Sequence, residues 1–281
     1  MAFARQASGM NGHARTYLVT GACGGLGAAV TDALVSRGAT VFAADCRRAV
    51  LNRWPPSRSV RPLLMDVTDA ASITRARRAI QRSAAVLDGI VCAAGIYTGG
   101  PLLDVADEEL RRVLDVNVRG AAQVVRELMP LLRRGGTLVF VSSESTRVLM
   151  PFTGPYVISK RALEAYAETL RRELFPLGIR VTVIQPGAIR TPLLGSAAQS
   201  LKSDSARAVY RGALRSAEQV LLREMETGMD PARVAGVIAR ALERRRPRRR
   251  LRVGNNRLRA FIGFLPASWL DVFLRRFLGR P

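Results

Sequence analysis

Tyr156 and Lys160 stand four residues apart in GPYVISKRALEAYAETL, a stretch of helical period, so both side chains share one helix face. A free phenol, with a pKa of about 10, is a poor base at neutral pH. A neighbouring ammonium favours the phenolate and brings proton exchange with an alcohol or carbonyl within reach. Ser143 ends an apolar run 13 residues before Tyr156, where its hydroxyl can hydrogen-bond the same reacting oxygen. Asn117 lies where a long amphipathic stretch is interrupted. Taken singly these residues mean little, since Tyr-x-x-x-Lys arises by chance and strand-end serines are common. Their joint order is the signal.

A second constellation suits a dinucleotide. The first apolar run leads into Thr20-Gly21-Ala22-Cys23-Gly24-Gly25-Leu26-Gly27 and then a helical pattern. Glycines at 21, 25 and 27, with Leu26 between the last two, let the backbone approach a pyrophosphate at a helix N-terminus. Asp45 closes the second apolar run, 24 residues beyond Gly21. An acid near that spacing bonds ribose hydroxyls and repels a 2′-phosphate, which favours NAD(H). Arg47 and Arg48 follow at once and could receive a phosphate, so NADP(H) stays open.

Composition excludes other chemistry. Of 44 cationic side chains only Lys160 and Lys202 are lysines, and the one histidine is His13, ahead of the first apolar run. A Ser-His-Asp triad or a multi-histidine zinc site is therefore not expected. Cys23, Cys46 and Cys92 are far apart and lack a Cys-x-x-Cys, which fits a reducing compartment rather than a disulfide framework. Each falls at the carboxyl end of an expected strand, either near the expected cofactor or as a small buried residue. No secretory signal and no run long enough to span a bilayer is visible, so the expected location is cytoplasmic.

The elements that must position these residues alternate. Strand-like runs at 16–21, 39–45, 60–67, 87–95, 135–143, 179–187 and 249–254 are separated by helical stretches at 26–37, 69–83, 107–134 and 156–175. Parallel neighbours need crossovers, so this order predicts an α/β, doubly wound parallel sheet of about seven strands with helices on both faces. Asp69 is expected to cap its helix, and the helix over 107–134 to break near Asn117–Gly120. The Ala-, Leu- and Arg-rich segment at about 191–229 should lie as a helical lid over the carboxyl ends of the strands, where such sheets bind ligands. The expected organisation is a tail at 1–14, a catalytic domain at 15–254, and a basic, amphipathic C-terminal extension at 255–281.

Over residues 15–195 the chain resembles the short-chain dehydrogenase/reductase superfamily, through its TGxxxGxG loop and its Asn-Ser-Tyr-Lys order. Within that superfamily it looks most like the retinol and hydroxysteroid dehydrogenase branch. The resemblance implies a Rossmann-type fold and a role for each residue. Tyr156 would be the acid/base. Lys160 would lower its pKa and hold the nicotinamide ribose. Ser143 would orient substrate, and Asn117 would support a water-linked proton relay. Asp66 and Val67 correspond to an adenine-contacting pair, Ala94 and Gly95 to the loop passing the adenosine, and Pro186, Gly187 and Thr191 to the turn and threonine beside the nicotinamide. One departure is Cys92-Ala93-Ala94-Gly95 where the family carries Asn-Asn-Ala-Gly, which removes the asparagines that brace the central sheet.

Val148, Phe152, Leu193 and Leu194 are expected to line an apolar substrate pocket. The expected reaction is NAD(H)-dependent interconversion of a hydrophobic alcohol, steroid-, retinoid- or lipid-like, and its ketone or aldehyde. An NADPH-dependent ketoreductase of a biosynthetic pathway and a dinucleotide-binding regulatory or membrane-surface protein with a basic tail are the alternatives. Leu163, Tyr166 and Leu170 are expected on an outer helix face, pairing subunits into a homodimer or homotetramer. From Arg240 to the C-terminus thirteen arginines face two acids, half of the net charge of +22. Trp269, Leu270, Phe273, Leu274, Phe277 and Leu278 form one stripe that could touch a membrane peripherally. Nucleic acid is not expected, because the tail carries no recognition motif.

Overall fold

The structure, a computed structural model, describes residues 14–54, 57, 59–83, 86–201, 208–254, 268–269, 271–272 and 274. Seven strands, β1 (Thr16–Thr20), β2 (Thr40–Asp45), β3 (Val60–Leu64), β4 (Leu87–Cys92), β5 (Leu132–Val141), β6 (Arg180–Pro186) and β7 (Arg250–Val253), form one sheet in the order β3-β2-β1-β4-β5-β6-β7. Every neighbouring pair is parallel. The chain reverses its direction of winding between β1 and β4, which opens a crevice at their carboxyl ends.

Crossovers supply the outer layers: α1 (Gly25–Val35), the single turn α2 (Val50–Arg53), α3 (Ala70–Arg82), α4 (Asp107–Leu114), α5 (Ala121–Leu128), α6 (Gly154–Glu173) and α9 (Pro231–Glu243). Alternation along β1 sorts the core. Leu18 joins a cluster with Phe42, Ile73, Val124, Phe140 and Leu163 on one face. Tyr17 and Val19 join Val30, Leu34, Val234 and Ile238 on the other. Asp69 caps α3 by accepting from the Ala71 N–H at 2.8 Å, as its sequence position predicts.

Two readings of the sequence change here. The interruption near Asn117 is not a gap: Asp115–Gly120 is a π-helical stretch that joins α4 to α5 without a loop. Gly120 lets this stretch close on the segment after β3, since a Cβ there would lie 2.7 Å from Val67 Cγ2. Leu163, Tyr166 and Leu170 do not form an outer face. Leu163 is fully buried, the other two pack against the same cluster, and Phe140 meets the Tyr166 ring edge-on at 5.8 Å. A helix turns one stripe inward, and these residues are that stripe.

The lid consists of α7 (Pro192–Ser200) and α8 (Arg211–Thr227). Its two ends meet at a parallel bridge, Ile189 with Met229, where the Met229 N–H reaches Ala188 O and the Arg190 N–H reaches Met229 O. Most of the C-terminal stripe lies outside the described residues. Of its residues that are described, Trp269 is exposed and Leu274 is buried. Among the described residues no helix is long and apolar enough to cross a membrane, and no cluster of metal-ligating side chains occurs.

Candidate active site

A cleft of about 1430 Å³ opens beyond the carboxyl ends of the strands and runs from the β1–α1 turn to the lid. At one end Gly21, Gly25, Leu26 and Gly27 line it. Gly21 sits at φ +68, and a Cβ there would lie 2.8 Å from Ala94 Cα. At Gly27 a Cβ would come 2.1 Å from Gly21 O, so the turn folds only with glycine. The first N–H groups of α1, which have no partner within a helix, therefore open onto the cleft. This cradle fits a pyrophosphate.

Asp45 ends β2 beside the cradle and is 4% exposed. Its carboxylate accepts from the Cys23 N–H at 2.8 Å, the Arg47 N–H at 3.0 Å, and Arg47 Nε and Nη2 at 3.0 and 3.2 Å. Burial works to raise its pKa, but these bonds outweigh it and hold the carboxyl below its ordinary value. Asp66 and Val67 follow β3 at the cleft edge, where the Asp66 carboxylate receives the N–H and hydroxyl of Thr68. Ala94, Gly95, Pro186, Gly187 and Thr191 line the same wall. The missing asparagines are replaced by other groups. Thr20 Oγ1 accepts from the Ala93 and Ala94 N–H groups at 3.1 Å each. Asn117 bonds both the N–H and the carbonyl of Ile96, at 2.9 and 3.0 Å, and donates to Ser159 Oγ.

Tyr156 and Lys160 reach the floor of the cleft from the first turns of α6, and Ser143 from the end of β5. Asn117 is buried behind Gly95, at whose position a Cβ would lie 3.2 Å from Asn117 Oδ1 and 3.4 Å from Lys160 Nζ. Lys160 Nζ donates to Val141 O at 3.0 Å and lies 5.6 Å from the Tyr156 ring centroid. In this geometry burial is the largest influence on the phenol. Burial pushes Tyr156 up to about 12, opposed only by its hydrogen bond with Ser143. Burial also pulls Lys160 down to about 8, against the pull of Cys92 and Glu164. Desolvation penalises the charged form of each, and here it wins.

Among the cysteines, Cys46 is exposed on the cleft, Cys23 is half-buried, and Cys92 is in the core, where burial raises its thiol to about 12. Leu193 and Leu194 line the cleft, together with Met150 and Pro151. Val148 and Phe152 do not. Val148 is buried elsewhere, and the Phe152 ring packs with Leu201, Ala213 and Leu214 beneath the lid, edge-on to Tyr210 at 5.7 Å. The reason is backbone: Phe152 takes φ +66, which turns its side chain out of the run that includes Pro151. Sequence reasoning also missed Tyr97. Its ring lies 4.7 Å from that of Tyr156, and its buried hydroxyl has no hydrogen-bond partner among the described residues. No pattern around Tyr97 marks it, because only the fold brings the two rings together.

Comparison with known proteins places the chain in a family. The family model for short chain dehydrogenases matches residues 15–202. The 3-amino-tetrahydro-pyrrolizinone reductase of Xenorhabdus hominickii is 34% identical over 182 residues, 64% of this chain and 63% of that protein. This chain thus spans a little under two thirds of that relative. Retinol dehydrogenase 5 of Homo sapiens is 32% identical over 283 residues, covering 94% of this chain and 88% of that protein. Among solved structures, a short-chain dehydrogenase from Streptomyces avermitilis superposes with a TM-score of 0.77 at 28% identity, over 94% of this chain and 97% of that one.

Proposed function

The chain belongs to the short chain dehydrogenase family, and from that premise we propose that it is an NAD(H)-dependent oxidoreductase interconverting a hydrophobic alcohol and its ketone or aldehyde. The observation that carries the reading is the convergence of Ser143, Tyr156 and Lys160 on one cleft whose other end is the glycine cradle. A regulator that only binds a dinucleotide has no use for that convergence.

In this reading the cradle at Gly21, Gly25 and Gly27 holds the pyrophosphate, Asp45 the adenosine ribose, and Lys160 the nicotinamide ribose. Asp66, Val67, Ala94 and Gly95 flank the adenosine, and Pro186, Gly187 and Thr191 the nicotinamide. When bound, the nicotinamide supplies the carbon that accepts or gives up hydride. Tyr156 moves the proton. Its phenol gives a proton to the substrate oxygen on reduction and takes one back on oxidation, while Ser143 holds that oxygen. Asn117, whose amide is committed to Ile96 and Ser159, supports the loop against which Lys160 rests.

Asp45 supports NAD(H). A 2′-phosphate would meet a buried carboxylate and would have to draw Arg47 away from it. An apolar wall of Met150, Pro151, Leu193, Leu194, Val220 and Leu221 supports a hydrophobic substrate. Retinol dehydrogenase 5, by its name, acts on such an alcohol.

The test is turnover with NAD(H) and NADP(H) on steroids, retinoids and aliphatic alcohols. Tyr156→Phe should lower kcat by roughly 10²–10⁴-fold with dinucleotide binding retained; full activity in that variant refutes the reading. The pH dependence has a stated sign. A phenol near 12 stays protonated through the neutral range, so Tyr156 does not limit reduction there. The carbonyl-reducing rate should hold below about pH 8 and fall above it, as Lys160 loses its charge.

A further inference from the structure

Behind the cleft floor, α6 carries a third polar residue in register with the first two. Glu164 lies four residues beyond Lys160 and eight beyond Tyr156, on the same helix face, and is 8% exposed. Its Oε1 accepts from Ser142 Oγ at 2.5 Å, Gln185 Nε2 at 2.8 Å and Thr146 Oγ1 at 2.9 Å. Its Oε2 lies 3.5 Å from Arg250 Nη2 on β7. Ser142, Thr146 and Gln185 are all buried. A carboxylate taken out of water stays charged only with partners of this kind.

Those partners belong to the segments that carry the site. Ser142 immediately precedes Ser143. Thr146 ends the short turn after it and also lies 2.9 Å from Ser143 O. Thr146 has one hydroxyl proton for two acceptors, and the charged one forms the stronger bond. Gln185 Nε2 also donates to Thr146 Oγ1 at 3.1 Å, and Gln185 leads directly into Pro186 and Gly187. We propose that Glu164 is a positioning residue of this site: its carboxylate locks the serine loop and the Pro186–Gly187 turn to α6, and sets a negative charge one helical turn beyond the Lys160 ammonium.

The charge can be read directly. Lys160 is faced by Tyr156 and Glu164 on its own helix, by Cys92 at the end of β4 and by the Val141 carbonyl on β5, while Arg250 reaches Glu164 from β7. Burial lowers Lys160, and Glu164 opposes that. Because the chain has only two lysines, protein labelled at lysine Cε and Nζ in a Lys202→Arg background reports Lys160 alone by NMR. Removing the negative charge with Glu164→Gln should move the Lys160 midpoint down by about half a pH unit or more. Removing the cation with Arg250→Gln should move it up.

A merely structural role predicts no such opposition. Turnover of Glu164→Gln should fall by about tenfold, with its alkaline limb following the NMR midpoint. Midpoints that stay put, or move the same way in both variants, overturn the proposal. So does a loss of turnover that only tracks unfolded protein in thermal melts. If Glu164→Gln does not fold, Arg250→Gln, on a side chain 41% exposed, decides the matter by the direction of its shift. The kinetic arm rests on the proposed activity, but the NMR titration does not. A chain inactive on every alcohol tested refutes the activity and leaves the titration to judge Glu164.

Discussion

At the carboxyl ends of β1 and β2 the cleft is made largely of backbone. Gly21 takes a left-handed conformation, Gly27 leaves no space for a Cβ, and the Asp45 carboxylate is tied to the Cys23 and Arg47 N–H groups. Beyond Ser143 the cleft is made of side chains. The lid rests on a small cluster of Phe152, Leu201, Ala213 and Leu214, a hydrogen bond from the Gly99 N–H to Ser200 Oγ, and the Ile189–Met229 bridge. The first half has one geometry and the second can be repacked. A dinucleotide of constant shape suits the former, and a substrate that varies between relatives suits the latter.

Three substitutions set the two halves against each other. Gly27→Ala forces a Cβ against the Gly21 carbonyl, both atoms being backbone and neither able to swing aside. Dinucleotide affinity should fall by about 100-fold, roughly 2.7 kcal/mol. Calorimetric binding unchanged from wild type would show that the cradle is not where the pyrophosphate sits. Asp45→Ser removes the acid but keeps the backbone and releases Arg47. The ratio of kcat/KM for NAD over NADP should drop by about tenfold, near 1.4 kcal/mol; a ratio that does not move would deny Asp45 its role in the choice.

The smallest effect belongs to the lid. Phe152→Ala empties part of its cluster and should raise KM for a bulky alcohol by about fivefold, roughly 1 kcal/mol, with dinucleotide affinity intact. If dinucleotide binding weakened equally, the two halves would not be separable in the way the packing indicates.

The same contrast explains what could be read in advance. The strand order follows from alternation of apolar runs and helical stretches, and the order places Gly21, Asp45 and Ser143 at or just beyond strand ends and Tyr156 on the helix that follows, whatever the side-chain detail. Residues in regular elements were therefore legible. Val148 and Phe152 were not, because a loop has no period and one positive φ redirects a side chain. The face of α6 bearing Leu163 is not legible from sequence, because the sequence holds no measure of what covers it. Burial depth is the other blind spot. Chain order puts Lys160 next to Tyr156, but desolvation decides both pKa values, and that depends on the whole fold. Glu164 escaped notice for a related reason: its partners come from the segment after β5, from β6 and from β7, and share no local pattern.

The Ile189–Met229 bridge has a consequence for how such a chain can diversify. Because the lid enters and leaves the domain at adjacent hydrogen-bonded positions, its length does not enter the register of β6 with β7. The closure cost of a longer excursion grows only as the logarithm of its length. The segment is in effect a cassette with a closed neck. A stretch of different length and shape exchanged there would give a new pocket over an unaltered cleft floor.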